Sequence, residues 1–369
     1  MQTAPPAVTA STPSAPNPTS HLRPGARIPR LDFLRAVSAG IVVIYHSGYV
    51  TVPAGFGVLT FFVISGFLIT HLLLRENDAT GNISFRDFYV RRSLRIFPPF
   101  YAYWIIAIAL LLARHANIIW PQAICSLFYV GNYYQGLHGY PSSLFSHTWS
   151  LGVEEQFYLV WPAAFAFFRN RLRTFARVLA FLIPALWLYR SFLYFKGVAE
   201  PYLYTSFETR IDAILVGALF SILLHLGAVP RLIAELRRPR YLPITVTALV
   251  LSILGDGQLG FGYRYVVAYA IDPILLILLI LQLVETPSMD WMDARPFAYL
   301  GAISYSTYLY QQIVIPFVTK VLPDQPKPLI SVVCLLVTWA AASVSYYLVE
   351  KPFLGLKERF TARSVRADR

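Results

Sequence analysis

Four clusters of ionisable residues lie in apolar stretches of this chain, where a charged side chain costs several kcal/mol unless it meets a cavity or a partner. The first is in LDFLRAVSAGIVVIYHSGYV, residues 31–50, which holds Asp32, Arg35 and His46. At 100° per residue, the step from Arg35 to His46 closes to within about 20° of three helical turns and rises roughly 16 Å. Asp32 precedes Arg35 by three residues and shares its side of a helix. The three form one polar stripe, with a group that titrates near neutral pH at its far end. An imidazole so placed suits a general base or a transient carrier. The same stripe also suits a buried Asp–Arg pair with a hydrogen-bonded histidine.

The second cluster is HTWSLGVEEQFYLVWP, residues 147–162. Helical spacing puts His147 and Glu154 on one face, continued by Trp161, with Glu155 pointing about 100° away. A carboxylate beside an imidazole is a common way to orient a general base. The alternative is an interfacial His147 and a Glu154 that ties two helices together. The third cluster, FYVRRSLRIFPP at 88–99, brings Arg91, Arg92 and Arg95 within one turn. Such a segment anchors to anionic lipid and sets topology, or grips a phosphate-rich ligand through guanidinium forks. In the fourth, FETRIDAILVGALF, Arg210 and Asp212 are two residues apart. They cannot face each other, so each needs a partner elsewhere.

The elements that carry these residues are legible in the composition. Hydrophobic residues make up 56% of the 369 and charged residues 14%, against about 25% charged in soluble chains. The chain reads as an all-α, polytopic membrane bundle. Stretches of the length a spanning helix needs occur at 31–50, 55–74, 97–113, 147–168, 175–195, 208–227, 241–255, 265–284, 297–319 and 329–349. The apolar segment 118–135, with Pro121, Gly131 and Asn132, reads as re-entrant or interfacial, and counting it as a span would give eleven. With ten spans and the N-terminus in the cytoplasm, 23 of the 31 Lys and Arg fall on the inner side and 6 on the outer. This is the bias of the positive-inside rule. The net charge of +12 therefore reports orientation, and no stacking module or finger spacing points to nucleic acid.

The expected organisation is a disordered cytoplasmic tail over 1–29, a membrane domain over 30–353 and a basic cytoplasmic tail over 354–369. Cys125 and Cys334 lie in apolar runs without metal-site or disulfide spacing. They read as small packing residues, and no metal is expected.

The stretches RLDFLRAVSAGIVVIYHS, FFVISGFLIT, FYVRRSLRIFPPFY, HTWSLGVEEQFYLVWP, RIDAILVGAL, LGAISYSTYLYQ and YYLVEKPF are collinear from residue 30 to residue 353. In that order the chain resembles acyltransferase family 3, the integral membrane acyltransferases that modify cell-surface glycans. The resemblance implies transfer of an acyl group, expected to be acetyl, from cytoplasmic acyl-CoA to a hydroxyl of a carbohydrate or lipid-linked glycan. It implies a place in the cytoplasmic (inner) membrane, in contact with its lipid. It assigns the Arg and His of the family's first helix to Arg35 and His46, its arginine-rich segment to Arg91, Arg92 and Arg95, and its glutamate to Glu154. Two positions depart from the family's pattern. Leu59 stands where an Asp is frequent, and Gln311 stands where a His is common. Some relatives carry a C-terminal esterase-like domain, and this sequence is expected to lack one. A transporter or flippase of a lipid-linked or anionic compound is the competing reading, and a non-catalytic membrane scaffold is a third.

Overall fold

The computed structural model describes residues 29–48, 54–285 and 287–356, so the tail expected over 1–29 and most of that expected over 354–369 lie outside the described residues. Those residues form α1 (Pro29–His46), α2 (Ala54–Thr80), α3 (Phe85–Ala113), α4 (Trp120–Leu127), α5 (Gly131–His138), α6 (Trp149–Phe168), α7 (Leu172–Phe195) and α8 (Glu200–Thr205). They continue as α9 (Phe207–His225), α10 (Pro230–Leu236), α11 (Tyr241–Tyr263), α12 (Tyr269–Glu285), α13 (Arg295–Ala302), α14 (Ser304–Val321) and α15 (Lys327–Ser345). No strand occurs among the described residues.

Sequence explains several of the boundaries. Proline occupies the first turn of α4, α8, α10, α13 and α15, where its missing N–H costs nothing. The Ser84 hydroxyl caps α3 by accepting from the Asp87 backbone N–H at 3.2 Å. Gly139 closes α5 at φ +83°, in the left-handed region that favours glycine.

Each of the ten expected spans overlaps one helix of 17 residues or more. Segment 118–135 instead forms α4 and α5, eight residues each. At 1.5 Å per residue each is about 12 Å long, too short to cross a bilayer. By length and composition, five helical runs could cross a membrane: Gly55–Thr80, Phe85–Ala113, Leu172–Phe195, Tyr241–Val284 and Lys327–Leu356. The bent pair formed by Glu200–His225 and Pro230–Leu236 would be a sixth. The run Tyr241–Val284 would be roughly 66 Å long if straight, but it breaks at Gly260 and its halves, α11 and α12, pack side by side. The protein is thus a helical membrane protein. Its lipid-facing surface is visible on α7, where Phe181 is 79% and Leu188 72% exposed.

The centre of the bundle is the pairing of α2 with α9, the most extensive helix contact. A Cβ at Gly66 would lie 1.8 Å from the Ile214 carbonyl oxygen, and one at Gly217 would lie 2.1 Å from that of Val63. Only glycine permits this approach, and small residues at helix crossings are the usual means of close packing in membranes. Gly301 of α13 meets α1 in the same way, with a built Cβ 2.5 Å from Asp32 Cβ. These contacts fix α1, α2 and α9 around the polar residues they carry.

Candidate active site

Two cavities lie along α1. The larger, about 1380 Å³, is lined by Arg35, by Ser65 and Arg75 of α2, by Arg91, Arg92 and Arg95 of α3, and by Glu154, Glu155 and Tyr158 of α6. Arg35 Nη1 is 3.3 Å from Asp32 Oδ1, and Arg91 Nη2 donates to Glu76 Oε2 at 2.7 Å. The Arg92 guanidinium lies 4.6 Å from the Tyr158 ring centroid. Arg92 and Arg95 have no ion pair among the described residues, and both stand close enough to Arg35 for the three charges to repel. The same lining carries Glu76, Asp78, Asp87, Glu154 and Glu155, and within this mixed field Arg92 and Arg95, free of ion pairs among the described residues, are available to an anionic ligand. Ser65 Oγ donates to Glu154 Oε1 at 2.5 Å and accepts from the Tyr158 hydroxyl at 2.9 Å.

The smaller cavity, about 450 Å³, contains His46 and His147. His46 closes α1 and its side chain is exposed to this space. His46 Nδ1 is 2.9 Å from the Val42 carbonyl oxygen. A carbonyl only accepts, so Nδ1 carries the hydrogen and Nε2 presents its lone pair. The buried Gln311 side chain stands beside the His46 imidazole. His147 is 4% exposed and neither ring nitrogen has a hydrogen-bond partner among the described residues. Its ring is met edge-on by Tyr103, with centroids 5.3 Å apart, and by the tilted ring of Tyr308 at 5.4 Å. Leu59, the departure from the family's aspartate, also lines this cavity. Val58 and Tyr308 line both cavities and stand where the two adjoin. The Tyr308 hydroxyl is held by the His147 carbonyl at 2.8 Å and by Ser150 Oγ at 2.7 Å.

The shared face expected for His147 and Glu154 is not what the structure has. His147 sits in a 3₁₀ turn, Ser146–Thr148, before α6 begins. It belongs to the histidine cavity, whereas Glu154 belongs to the arginine cavity, near Arg92 and Arg35. Glu155 also lines the arginine cavity instead of pointing away from it.

Arg210 and Asp212 lie outside both linings, and each has found a partner elsewhere. Asp212 Oδ2 accepts from Arg190 Nη1 of α7 at 2.7 Å, and Arg190 also donates to the Thr209 and Tyr265 carbonyls. The Arg210 guanidinium rests 3.8 Å from the Tyr269 ring centroid. Arg190 and Asp212 are 1% and 2% exposed, so Asp212→Ala leaves a buried cation alone. Loss of about 3–5 kcal/mol of stability is expected, read as a lowered melting temperature in detergent.

Ser65, Tyr158 and Tyr308 escaped sequence reasoning, although each lies in a stretch already singled out. Glu350 did too: it is 4% exposed, accepts from Ser306, and stands near Arg95. A buried carboxylate in YYLVEKPF was the signal.

Residues 28–348 match the family model described as an acyltransferase domain. The chain is 28% identical over 350 residues to the peptidoglycan O-acetyltransferase OatA of Listeria monocytogenes, covering 88% of this chain and 55% of that protein. It is 31% identical over 353 residues to YrhL of Bacillus subtilis, covering 88% and 54%. The chain thus spans about half the length of the curated relatives it matches. No solved structure matches it at a significant level.

Proposed function

Because the chain belongs to the acyltransferase family whose domain it matches, we propose that it moves an acetyl group from acyl-CoA to a hydroxyl of a carbohydrate acceptor. The observation that supports this most is the course of α1 past two cavities that share Val58 and Tyr308 in their linings. Arg35, near its start, faces the space with the crowded guanidinium groups, and His46, at its end, stands in the second space with Gln311 beside its ring. The coenzyme's phosphates suit Arg35, Arg92 and Arg95, since guanidinium forks pair with phosphate oxygens. The thin pantetheine arm then follows α1 past Val58 and Tyr308 and presents its thioester to the histidines.

In the transfer step, His46 Nε2 takes the proton from the acceptor hydroxyl as its oxygen attacks the thioester carbonyl. A new C–O bond forms, the C–S bond breaks, and the departing thiolate regains that proton. His147 stands beside this centre as a second imidazole, and Gln311 beside His46 as a positioning residue. Glu154, held by Ser65, balances charge in the donor cavity. The named activity of OatA, O-acetylation of peptidoglycan, supports a glycan acceptor. Purified protein given labelled acetyl-CoA should release free thiol in proportion to added wall glycan. Thiol release that ignores every acceptor would contradict the reading, and a transporter or scaffold would give none.

We further propose ten passes through the cytoplasmic (inner) membrane with both termini inside, supported by the charge ratio of 23 to 6. The donor cavity would then open to the cytoplasm and the histidine cavity toward the other side. Ala199 and Ala228 are both exposed. An impermeant thiol reagent should label Ala199→Cys in intact cells and Ala228→Cys only after lysis. The reverse pattern would invert the orientation.

A further inference from the structure

The histidine cavity carries more chemistry than proton transfer needs, and the surplus describes an acceptor. Trp149, Tyr204, Tyr269 and Phe261 line it, giving broad aromatic faces. Among them stand three carboxyl groups, Glu200, Asp256 and Asp272. Arg264 is the cavity's one lining guanidinium among the described residues, and its Nε is bound to Asp256 Oδ1 at 2.7 Å. Glu200 accepts from the hydroxyls of Tyr265 and, at 2.6 Å, Tyr140. Asp272 differs from the other two. It is 7% exposed, lines the cavity, and its Oδ1 has no hydrogen-bond partner among the described residues. A buried polar atom without a partner is costly, and on a residue that lines a cavity it gains one when a donor binds against that side chain.

Aromatic faces with carboxyl acceptors between them match a sugar ring, whose C–H faces lie on the rings while its hydroxyls donate outward. A volume of about 450 Å³ falls within the range of small-ligand pockets. The charge balance adds a restriction. An acidic sugar would bring its carboxylate against three carboxyl groups, with Arg264 already engaged by Asp256 and Arg210 packed against the Tyr269, Tyr204 and Trp149 rings outside the lining. Like charges at close range in a desolvated site are a general means of rejecting wrong partners. Of the remaining polar groups, His46 and His147 mark the reacting end of the cavity, and Gln135, Ser146 and Gln312 also line it.

We infer that this cavity is the acceptor subsite and that it takes an uncharged or amino sugar while turning away acidic sugars, with Asp272 receiving a hydroxyl. This rests on the acyl-transfer reading for the role of the site, but its binding test needs no donor. Saturation-transfer NMR on the purified full chain, in a detergent without a sugar headgroup, would compare methyl glucoside, methyl glucosaminide and methyl glucuronide at equal concentrations. Saturation of the glucoside and the glucosaminide is expected, with the glucuronide at least tenfold weaker. Asp272→Asn should weaken the glucoside signal several-fold, and Asp272→Lys should narrow the gap between glucoside and glucuronide. Glucuronide binding equal to or better than glucoside binding would overturn the inference, as would no glycoside binding at all or a glucoside signal indifferent to Asp272→Asn. Thiol release from acetyl-CoA, measured in parallel with the same glycosides, reports separately on the acyl-transfer reading. Sugar selectivity without thiol release would leave the subsite standing and remove the transfer; acetylation of glucuronide in preference would do the opposite.

Discussion

His46→Ala is expected to lower acyl transfer by about 10²–10⁴-fold, the range that positioned general bases contribute, without loss of insertion or melting temperature. The side chain ends α1 and is exposed to a cavity, so its removal leaves no packing defect in the bundle. Its backbone hydrogen bond, to the Val42 carbonyl of the preceding turn, fixes the tautomer locally, and Gln311 of α14 stands beside the ring. Donor binding should be nearly unchanged, because the arginines lie roughly 16 Å along the helix. The informative pattern is therefore a fall in kcat with donor affinity preserved. Activity within a few-fold of wild type would move the proton-transfer role to His147, whose two ring nitrogens are both without partners among the described residues.

The second large effect belongs to the arginines. Arg92→Lys and Arg95→Lys each keep the charge and lose the planar fork. Each charge-assisted hydrogen bond lost costs on the order of 1.5–3 kcal/mol, so acyl-CoA affinity should fall roughly tenfold or more per variant. Arg91→Lys should do less. The Arg91 guanidinium is already committed to Glu76 at 2.7 Å, whereas Arg92 and Arg95 have no such partner. Orientation should survive in all three variants, since the positive-inside rule counts Lys and Arg alike. Calorimetric titration of detergent-solubilised variants with acetyl-CoA separates the cases. Equal affinity across the series would leave the segment a lipid anchor.

Much of the bundle was legible because the bilayer imposes its own length on the sequence. Among the described residues the long helices fall where apolar stretches of adequate length were found, and 118–135, expected to be re-entrant or interfacial, forms the short helices α4 and α5. The span expected at 241–255 runs on to the break at Gly260, because Asp256 is paired with Arg264 and so does not end the helix. The site was legible only in part. Counting 100° per residue works inside one helix, as for Asp32 and Arg35. It failed for His147, which precedes α6 in a tighter turn, and so the expected His147–Glu154 pair does not form. Partners from distant segments left no local trace. Arg190 with Asp212, and Glu154 with Ser65, are separated by 22 and 89 residues. The aromatic wall of the histidine cavity likewise draws on α6, α8 and α12, which only the close α2–α9 crossing brings together.

The central claim is transfer along α1 from a donor cavity on one side to an acceptor cavity on the other. Inverted membrane vesicles test it most directly, with labelled acetyl-CoA outside and wall-glycan acceptor trapped in the lumen. The coenzyme does not cross the membrane, so label on the lumenal glycan requires passage of the acetyl group through the protein. The account predicts labelled glycan with the wild-type chain and background label with His46→Ala. Equal labelling by the two proteins, or label only when donor and acceptor share a compartment, would contradict it.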